Sequence, residues 1–275
     1  MGKTTLAMQL ASNTLHMGDR VVWIDTGSPI PGPRFMEILS SHSHPPAGQD
    51  PASSPPVPHS TASLLENLTY LNIHTIPHLL VLFLHPPPNF PPTKTALIII
   101  DNVSAPFATA FPRPTPPDAK TTGGPLLPVD YARNSRLQWA ANRKWAVAGD
   151  LAAAMNRMAA LKSLAIVSIS QVTISLKGGV RRAILKSAMA STAWEAAIHN
   201  RVALWHDFAP PLPISSEYGR GSAYSKIASS VRFAEVVKAG GKAKAKALIS
   251  IDDDDDGAAV GFVIDKACII SSLPP

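Results

Sequence analysis

The sequence predicts an α/β protein with a mainly parallel sheet that is flanked by helices and extended by antiparallel strands near the carboxyl end of the chain. Two apolar runs, at residues 21–26 and 95–102, are unbroken and contain an acid at their carboxyl ends, as strands buried on both faces of a parallel sheet do. Helical patterns lie between these runs, whereas the last third of the chain has short strand-like segments in succession. Residues 42–62 and 105–128 are Pro-rich without apolar periodicity, so we expect disordered insertions there.

Periodicity and breaker residues place the remaining elements. A helix over 4–17 leads through Gly18 into the first strand, and a helix over 76–84 is stopped by the prolines that begin at Pro86. We also expect a short helix over 35–39, strands over 68–73 and 164–170, and strand-like segments at 202–205, 231–237, 248–251 and 260–264.

The segment from Asn134 to Lys162 has apolar residues at three- and four-residue spacing. This spacing predicts one long amphipathic helix that packs a single stripe of side chains on the sheet. Its expected core-facing residues are Leu137, Ala141, Trp145, Ala148, Leu151, Met155 and Met158.

Composition limits the possible classes of protein. The chain has 275 residues, 45% of them hydrophobic, which is enough for one large domain with a full core. A net charge of +6 permits a polyanionic partner without requiring one. The single cysteine, Cys268, excludes an intramolecular disulfide framework and suits a reducing compartment. The apolar segment over 76–85 is too short to span a bilayer, so we expect an intracellular protein without a membrane partner.

The first residues match the second half of a phosphate-binding loop. A Walker A loop, G-x-x-x-x-G-K-S/T, cradles phosphates with backbone N–H groups, neutralises them with Lys and holds Mg²⁺ with a Ser or Thr hydroxyl. Gly2, Lys3 and Thr4 fill its last three places, and with Thr5 they open a helix whose N-terminus favours an anion. Asp101 ends a predicted buried strand, where a carboxylate can hold a Mg²⁺-bound water. Alternatively, Asp101 is a turn residue that ends the strand.

The order of the motifs resembles a known family. Residues Gly2 to Thr5, Val22 to Thr26, Ile98 to Asn102 and Ile169 to Val172 follow one another as in the ATPase core of the RecA-type recombinases. The chain is more closely similar to the eukaryotic recombinase-paralogue branch, the mediators that assist homologous recombination. The resemblance implies one RecA-like P-loop NTPase core over residues 1–275 that lacks its first strand and the first half of Walker A.

The same resemblance implies cofactors, partners and site residues. ATP and Mg²⁺ are expected at interfaces with other RecA-type recombinase or paralogue subunits, together with single-stranded DNA and a role in DNA repair in the nucleus. Lys3 would contact the β- and γ-phosphates, and Thr4 and Asp101 would hold the Mg²⁺. Gln171 would sense the γ-phosphate and report it to the following DNA-facing loop; on its own it is equally an ordinary polar strand end.

One departure from the family pattern concerns hydrolysis. The family follows the Asp-Thr of its second strand with a Glu that orients the attacking water, whereas this chain has Asp25-Thr26-Gly27. Loss of a general base typically removes about 10²- to 10⁴-fold of rate. We therefore expect weak or absent ATP hydrolysis and assign no catalytic residue, unless Asp25 or a partner subunit replaces the Glu.

A basic cluster follows Gln171. Lys177, Arg181, Arg182 and Lys186 occupy the place of a DNA-binding loop in the family, and a solvated basic turn is the alternative. Two other functions stay open for the whole chain: a scaffold subunit of a recombination complex that does not bind nucleotide, and a P-loop small-molecule kinase. The kinase would need an Arg-bearing lid, and no compact Arg cluster is found outside the segment after Gln171.

Overall fold

A computed structural model describes residues 2–41, 60–111, 128–176, 183–189, 191–206, 231–243, 260–264 and 269–271. The helices of these residues are α1 (Lys3–His16), α2 (Gly32–Ser41), α3 (Thr61–Glu66), α4 (Ile76–Leu84), α5 (Ser104–Ala110), α6 (Pro128–Lys162) and α7 (Thr192–Ala197). The strands are β1 (Arg20–Asp25), β2 (Leu68–Asn72), β3 (Thr95–Asp101), β4 (Ala165–Ser168), β5 (Val172–Leu176), β6 (Ala183–Ser187), β7 (Arg201–His206), β8 (Val231–Ala239), β9 (Lys242–Ala243), β10 (Val260–Ile264) and β11 (Ile269–Ser271). The chain divides into two compact units, one of Met1–Val21, Ile30–Thr69 and His199–Pro275 and one of Val22–Pro29 and Tyr70–Ile198.

The second unit is built on a four-stranded sheet in the order β2-β1-β3-β4. Strands β3 and β4 are parallel, with Ile100 opposite Ser168. Almost every residue of β1 and β3 is buried, which confirms the prediction of strands covered on both faces. The α/β class with a mainly parallel sheet is likewise confirmed.

The core of this unit forms between the sheet and helices α4, α6 and α7. Val22 and Ile24 of β1 and Ile98 and Ile100 of β3 contribute the sheet side. The helices contribute buried residues that include Ile76, Leu79, Phe83, Ala148, Leu151, Met155, Met158 and Trp194. The stripe predicted for the long helix is therefore confirmed from Ala148 onward, and Trp145 packs against the core while partly buried. Ala141 is exposed, so the stripe begins later than predicted, and the side chain of Leu137 lies outside the described residues.

Local signals set the ends of several helices. The Ser60 hydroxyl accepts the backbone N–H of Ser63 and begins α3, and Ser191 does the same for α7 through the N–H of Trp194. Helix α4 has a proline in its first turn and ends before Pro86, as predicted.

The two predicted insertions lie mostly outside the described residues, which omit 42–59 and 112–127. At their edges the chain is helical where irregular chain was expected, because α3 begins at Thr61 and α5 occupies 104–110. In α5, Pro106 falls in the first turn, where a missing N–H is tolerated, and Phe107 is buried. Local composition therefore marked these edges as irregular although burial of one side makes them helical.

The first unit contains α1, α2 and α3 and an antiparallel sheet in the order β11-β10-β8-β7, with β9 paired to β8. Gly240 and Gly241 turn β8 into β9 with φ values of 56° and 78°. Among the described residues, these antiparallel strands thus form a sheet of their own. The sequence prediction that they extend the parallel sheet is wrong in this respect. Strands β7, β9 and β10 each pair with β8, and this pairing provides hydrogen-bond partners for their backbone groups within the same sheet. The predicted strand at 248–251 lies outside the described residues.

Candidate nucleotide-binding site

The predicted phosphate-binding residues lie at the start of α1, in the first unit. Gly2 is the N-cap residue and has a left-handed backbone, with φ 96° and ψ −3°. The backbone angle favours glycine, and a Cβ built on Gly2 would lie 2.9 Å from Ile264 Cδ1, so a larger residue would also have to displace the Ile264 side chain. Lys3, Thr4 and Thr5 are half-buried. The first turn of α1 carries no acidic residue, so its dipole and the Lys3 charge both favour an anion.

The predicted Mg²⁺ and sensor residues lie in the second unit, at the carboxyl ends of two neighbouring parallel strands. Asp101 ends β3 and is 8% exposed. Gln171 follows β4 and is exposed, and its backbone N–H donates to the Ser104 hydroxyl oxygen at 3.2 Å. The structure therefore brings Asp101 and Gln171 to one edge of the sheet, as the motif order predicts.

The end of β1 is joined to the end of β3 by a buried threonine. The Thr26 N–H donates to the carbonyl oxygen of Asp101 at 3.2 Å. The Thr26 hydroxyl approaches the same oxygen at 2.8 Å and the carbonyl oxygen of Asn102 at 2.6 Å. These bonds hold the two strand ends together on the side of the sheet where α/β proteins bind ligands.

Asp25 is a fully buried carboxylate with donors on both oxygens. Its Oδ1 accepts the Gly27 N–H at 2.8 Å, and its Oδ2 accepts the Tyr70 hydroxyl at 2.8 Å. A carboxylate that is closed off from solvent and bonded in this way is held as a structural group. This arrangement argues against Asp25 as the replacement for the general base that Gly27 cannot provide.

Two polar residues without a role in the motif analysis complete the strand ends. Asn102 has a left-handed backbone, with φ 63°, and its Oδ1 accepts the Ser104 hydroxyl at 3.0 Å. Its Nδ2 lies 2.9 Å from where a Cβ on Gly27 would be, so the Asn102 amide fills the space beside Gly27. The only signal in the sequence is that these polar residues directly follow the apolar run of β3.

Other predicted site residues are described only in part. Lys177, Arg181 and Arg182 lie outside the described residues, and the backbone of Lys186 lies in β6, opposite Thr173. Because Gly2 to Thr5 and Asp101 belong to different units, a shared magnesium triphosphate stays a prediction. Within the described ranges, His, Cys, Asp and Glu form no group of three or more that could hold a metal ion. None of the helices in that part of the chain combines the length and the apolar character of a membrane span.

Comparison with known proteins finds similarity in sequence to a DNA repair protein and similarity in fold to solved structures. No protein-family model matches the chain. The chain is 36% identical over 118 residues to the DNA repair protein rhp55 of Schizosaccharomyces pombe, which covers 41% of this chain and 30% of that protein. It therefore spans less than a third of the length of this curated relative.

The fold is similar to a crystal structure of the RadB recombinase, with a TM-score of 0.50 and 13% identity over 98% of this chain and 84% of the other. At this identity the match concerns the fold alone. The fold and the separate sequence match agree with the motif order of the strand ends. The chain is thus similar in fold to a recombinase and, over 118 residues, similar in sequence to a DNA repair protein, in agreement with the resemblance to the RecA-type recombinases that the motifs indicate.

Proposed function

We propose that this chain is an ATP-binding recombinase paralogue that assists homologous recombination and DNA repair, with weak or absent ATP hydrolysis. One arrangement carries the proposal: Asp101 and Gln171 lie at the same edge of a parallel sheet, at the ends of neighbouring strands. Ligands of α/β proteins bind at this edge. A relative that is named a DNA repair protein supports the biological process.

ATP with Mg²⁺ is the proposed ligand, and the chemistry of the predicted residues supports it. Gly2 has a left-handed backbone at the N-cap of α1, and Lys3 supplies a positive charge at that helix N-terminus. Thr4 and Asp101 are the proposed Mg²⁺-holding groups, through a hydroxyl and a carboxylate. Bound ATP would supply a triphosphate whose γ-phosphate Gln171 can contact.

In this proposal, bound nucleotide serves as a conformational switch or stabilises subunit interfaces, and its hydrolysis supplies little energy. Gly27 has no side chain to orient a water, and the carboxylate of Asp25 is bonded to Gly27 and Tyr70. A ligand that binds only the assembled form stabilises that form by mass action, by about 2.7 kcal/mol when its concentration is 100 times Kd. ATP can therefore favour assembly without being consumed.

Other RecA-type recombinase or paralogue subunits and single-stranded DNA are the proposed partners, in the nucleus. The relative's name as a DNA repair protein supports a nuclear role beside DNA. Lys177, Arg181, Arg182 and Lys186 are the proposed DNA contacts, because cationic side chains that neutralise phosphates release counterions. DNA affinity should then fall as the salt concentration rises, with a slope of about −0.7 per contact on single strands.

Nucleotide binding is tested by titrating Mg-ATP into the chain with calorimetry. Lys3→Ala removes a charge-assisted contact of about 1.5–3 kcal/mol, so we expect the Kd to rise about 10- to 100-fold. The matched control is Lys242→Ala, which removes an exposed lysine in β9 of the same unit and should leave the Kd unchanged. Equal affinity in all three proteins would refute the assignment of Lys3.

Capture of partner proteins and transfer assays separate the proposed function from its alternatives. A recombinase paralogue is expected to retain a second RecA-type subunit and to bind single-stranded DNA. A scaffold would retain the subunit but give no heat with Mg-ATP. A kinase would transfer phosphate to a small metabolite, and that result without DNA binding would overturn the proposal.

A further inference from the structure

Three hydrogen bonds link the end of β1, the end of β3 and the residue before β5. The Thr26 hydroxyl lies 2.6 Å from the carbonyl oxygen of Asn102. The Asn102 Oδ1 accepts the Ser104 hydroxyl at 3.0 Å. The oxygen of that hydroxyl accepts the backbone N–H of Gln171 at 3.2 Å. All four residues belong to the second unit, and we call this series the strand-end relay.

The middle of the strand-end relay has a defined direction. A serine hydroxyl has one hydrogen, and in Ser104 it points to Asn102, which leaves an oxygen lone pair for the N–H of Gln171. Ser104 is 5% exposed, so water has little access to replace either bond. Hydrogen bonds in such a series polarise one another, so loss of the Asn102 acceptor weakens the bond to Gln171.

The Asn102 amide also lies beside Gly27. Its Nδ2 is 2.9 Å from the place that a Cβ on Gly27 would take, so the amide occupies the space that the missing side chain leaves. Its backbone lies in the left-handed region at φ 63°, which asparagine tolerates better than most residues. The chain after β1 therefore adjoins Asn102 at its carbonyl, through Thr26, and at its amide, beside Gly27.

The backbone of Gln171 connects Ser104 to the β5-β6 hairpin. Its carbonyl oxygen accepts the N–H of Ala188 at 2.9 Å, which closes the hairpin just beyond the pairing of Val172 with Ser187. The backbone of Gln171 is thus fixed by Ser104 on one side and by the hairpin on the other. A displacement of its N–H shifts the base of the hairpin.

We propose that Asn102 and Ser104 are positioning residues that set the backbone of Gln171, and with it the base of the β5-β6 hairpin, according to the state of the strand ends. The part of this proposal that concerns nucleotide rests on the proposed function. The relay itself is a property of the fold and is measurable without nucleotide.

Hydrogen exchange of single amides tests the relay without nucleotide. Asn102→Gly removes the amide, keeps the left-handed backbone and leaves the carbonyl that Thr26 contacts. We expect the Gln171 amide to exchange faster, by at most about fivefold, which is the factor for complete loss of its bond to Ser104 at about 1 kcal/mol. The Val103 amide, which donates to the Ile169 carbonyl at 2.9 Å nearby, should stay unchanged.

Two further variants serve as controls. Asn102→Asp keeps an Oδ1 acceptor and tolerates the same backbone, so it should retain slow exchange at Gln171. Thr95→Ala removes a buried hydroxyl at the opposite end of β3, where it donates to the Pro92 carbonyl at 2.7 Å, and should leave Gln171 unchanged. Unchanged exchange in Asn102→Gly, or equal acceleration in Asn102→Asp or Thr95→Ala, would overturn the proposal.

A second measurement adds Mg-ATP at saturation. The proposal expects the exchange rate of the Gln171 amide to change on nucleotide binding in the natural chain and to change much less in Asn102→Gly. Bound nucleotide with an equal change in both proteins would overturn the positioning role. If calorimetry detects no nucleotide binding by the natural chain, the proposed function fails, and the relay is then decided by the nucleotide-free exchange alone.

Discussion

The contact between Gly27 and Asn102 allows a quantitative test by a double-mutant cycle. A Cβ at Gly27 would lie 2.9 Å from Asn102 Nδ2, about 0.6 Å or more inside the optimum separation of nonbonded atoms. The amide must then turn away, which breaks the 3.0 Å bond between Asn102 Oδ1 and the Ser104 hydroxyl. Loss of that bond costs about 1 kcal/mol.

A second contribution has the opposite sign. The φ of Gly27 lies outside the left-handed region, so alanine fits the backbone and restricts the unfolded chain, which stabilises by about 0.4–1 kcal/mol. We therefore expect Gly27→Ala to be close to neutral in the natural chain. In the Asn102→Gly background the contact is absent, and Gly27→Ala should stabilise by the full backbone contribution.

The assay is urea unfolding of the four proteins of the cycle, with the free energy of unfolding compared at 25 °C. The expected coupling energy is about 1 kcal/mol, equivalent to about 2–4 °C in Tm for a chain of this size class. Additive effects within about 0.3–0.5 kcal/mol would refute the claim that the Asn102 amide fills the space beside Gly27.

Three further substitutions test other parts of the structure by the same unfolding assay. Gly2→Ala should lower the free energy of unfolding by about 2–4 kcal/mol, because it combines a left-handed φ of 96° with the 2.9 Å approach to Ile264. Gly18 has a φ of 84° and open space around it, so Gly18→Ala should lower that free energy only by the backbone contribution of about 1–2 kcal/mol. Equal losses in the two variants would contradict the steric argument. Tyr70→Phe removes the donor to Asp25 Oδ2 and should cost about 1–2 kcal/mol, whereas no loss would mean that this hydrogen bond is not needed to bury the carboxylate. Trp194 is 2% exposed, so Trp194→Ala should lower the free energy of unfolding by about 3–5 kcal/mol. Trp139 is 62% exposed, so Trp139→Ala should change it by no more than about 0.5 kcal/mol. The reverse order would place the core of the second unit elsewhere.

The strongly patterned elements could be predicted closely from the sequence. The helix over 76–84 was predicted with the bounds that α4 has, because an apolar run bounded by prolines leaves few alternatives. The strands that contain Ile24 and Ile100 were predicted within a residue or two, because unbroken apolar runs of this length suit a sheet covered on both faces. The long helix starts six residues earlier than predicted, and its apolar stripe is buried only from Ala148 onward among the residues described.

Pairing between distant segments was less predictable. The antiparallel strands were expected to extend the parallel sheet, and they form a separate one. Strand-like patterns show which residues alternate but not which neighbour completes their hydrogen-bond ladder. The hydrogen bond between Tyr70 and Asp25 could not be predicted either, because the two residues are 45 positions apart in the chain.

The sequence by itself determined the α/β class, the order of the motifs and the identity of the candidate phosphate and Mg²⁺ groups, because periodicity and residue chemistry are local properties of the chain. Only the tertiary structure decided that the Asn102 amide fills the space beside Gly27 and that Ser104 connects Asn102 to Gln171. These contacts join residues that follow the strands β1, β3 and β4. Their distances depend on how the strands pack in the sheet, which no single segment of the sequence specifies.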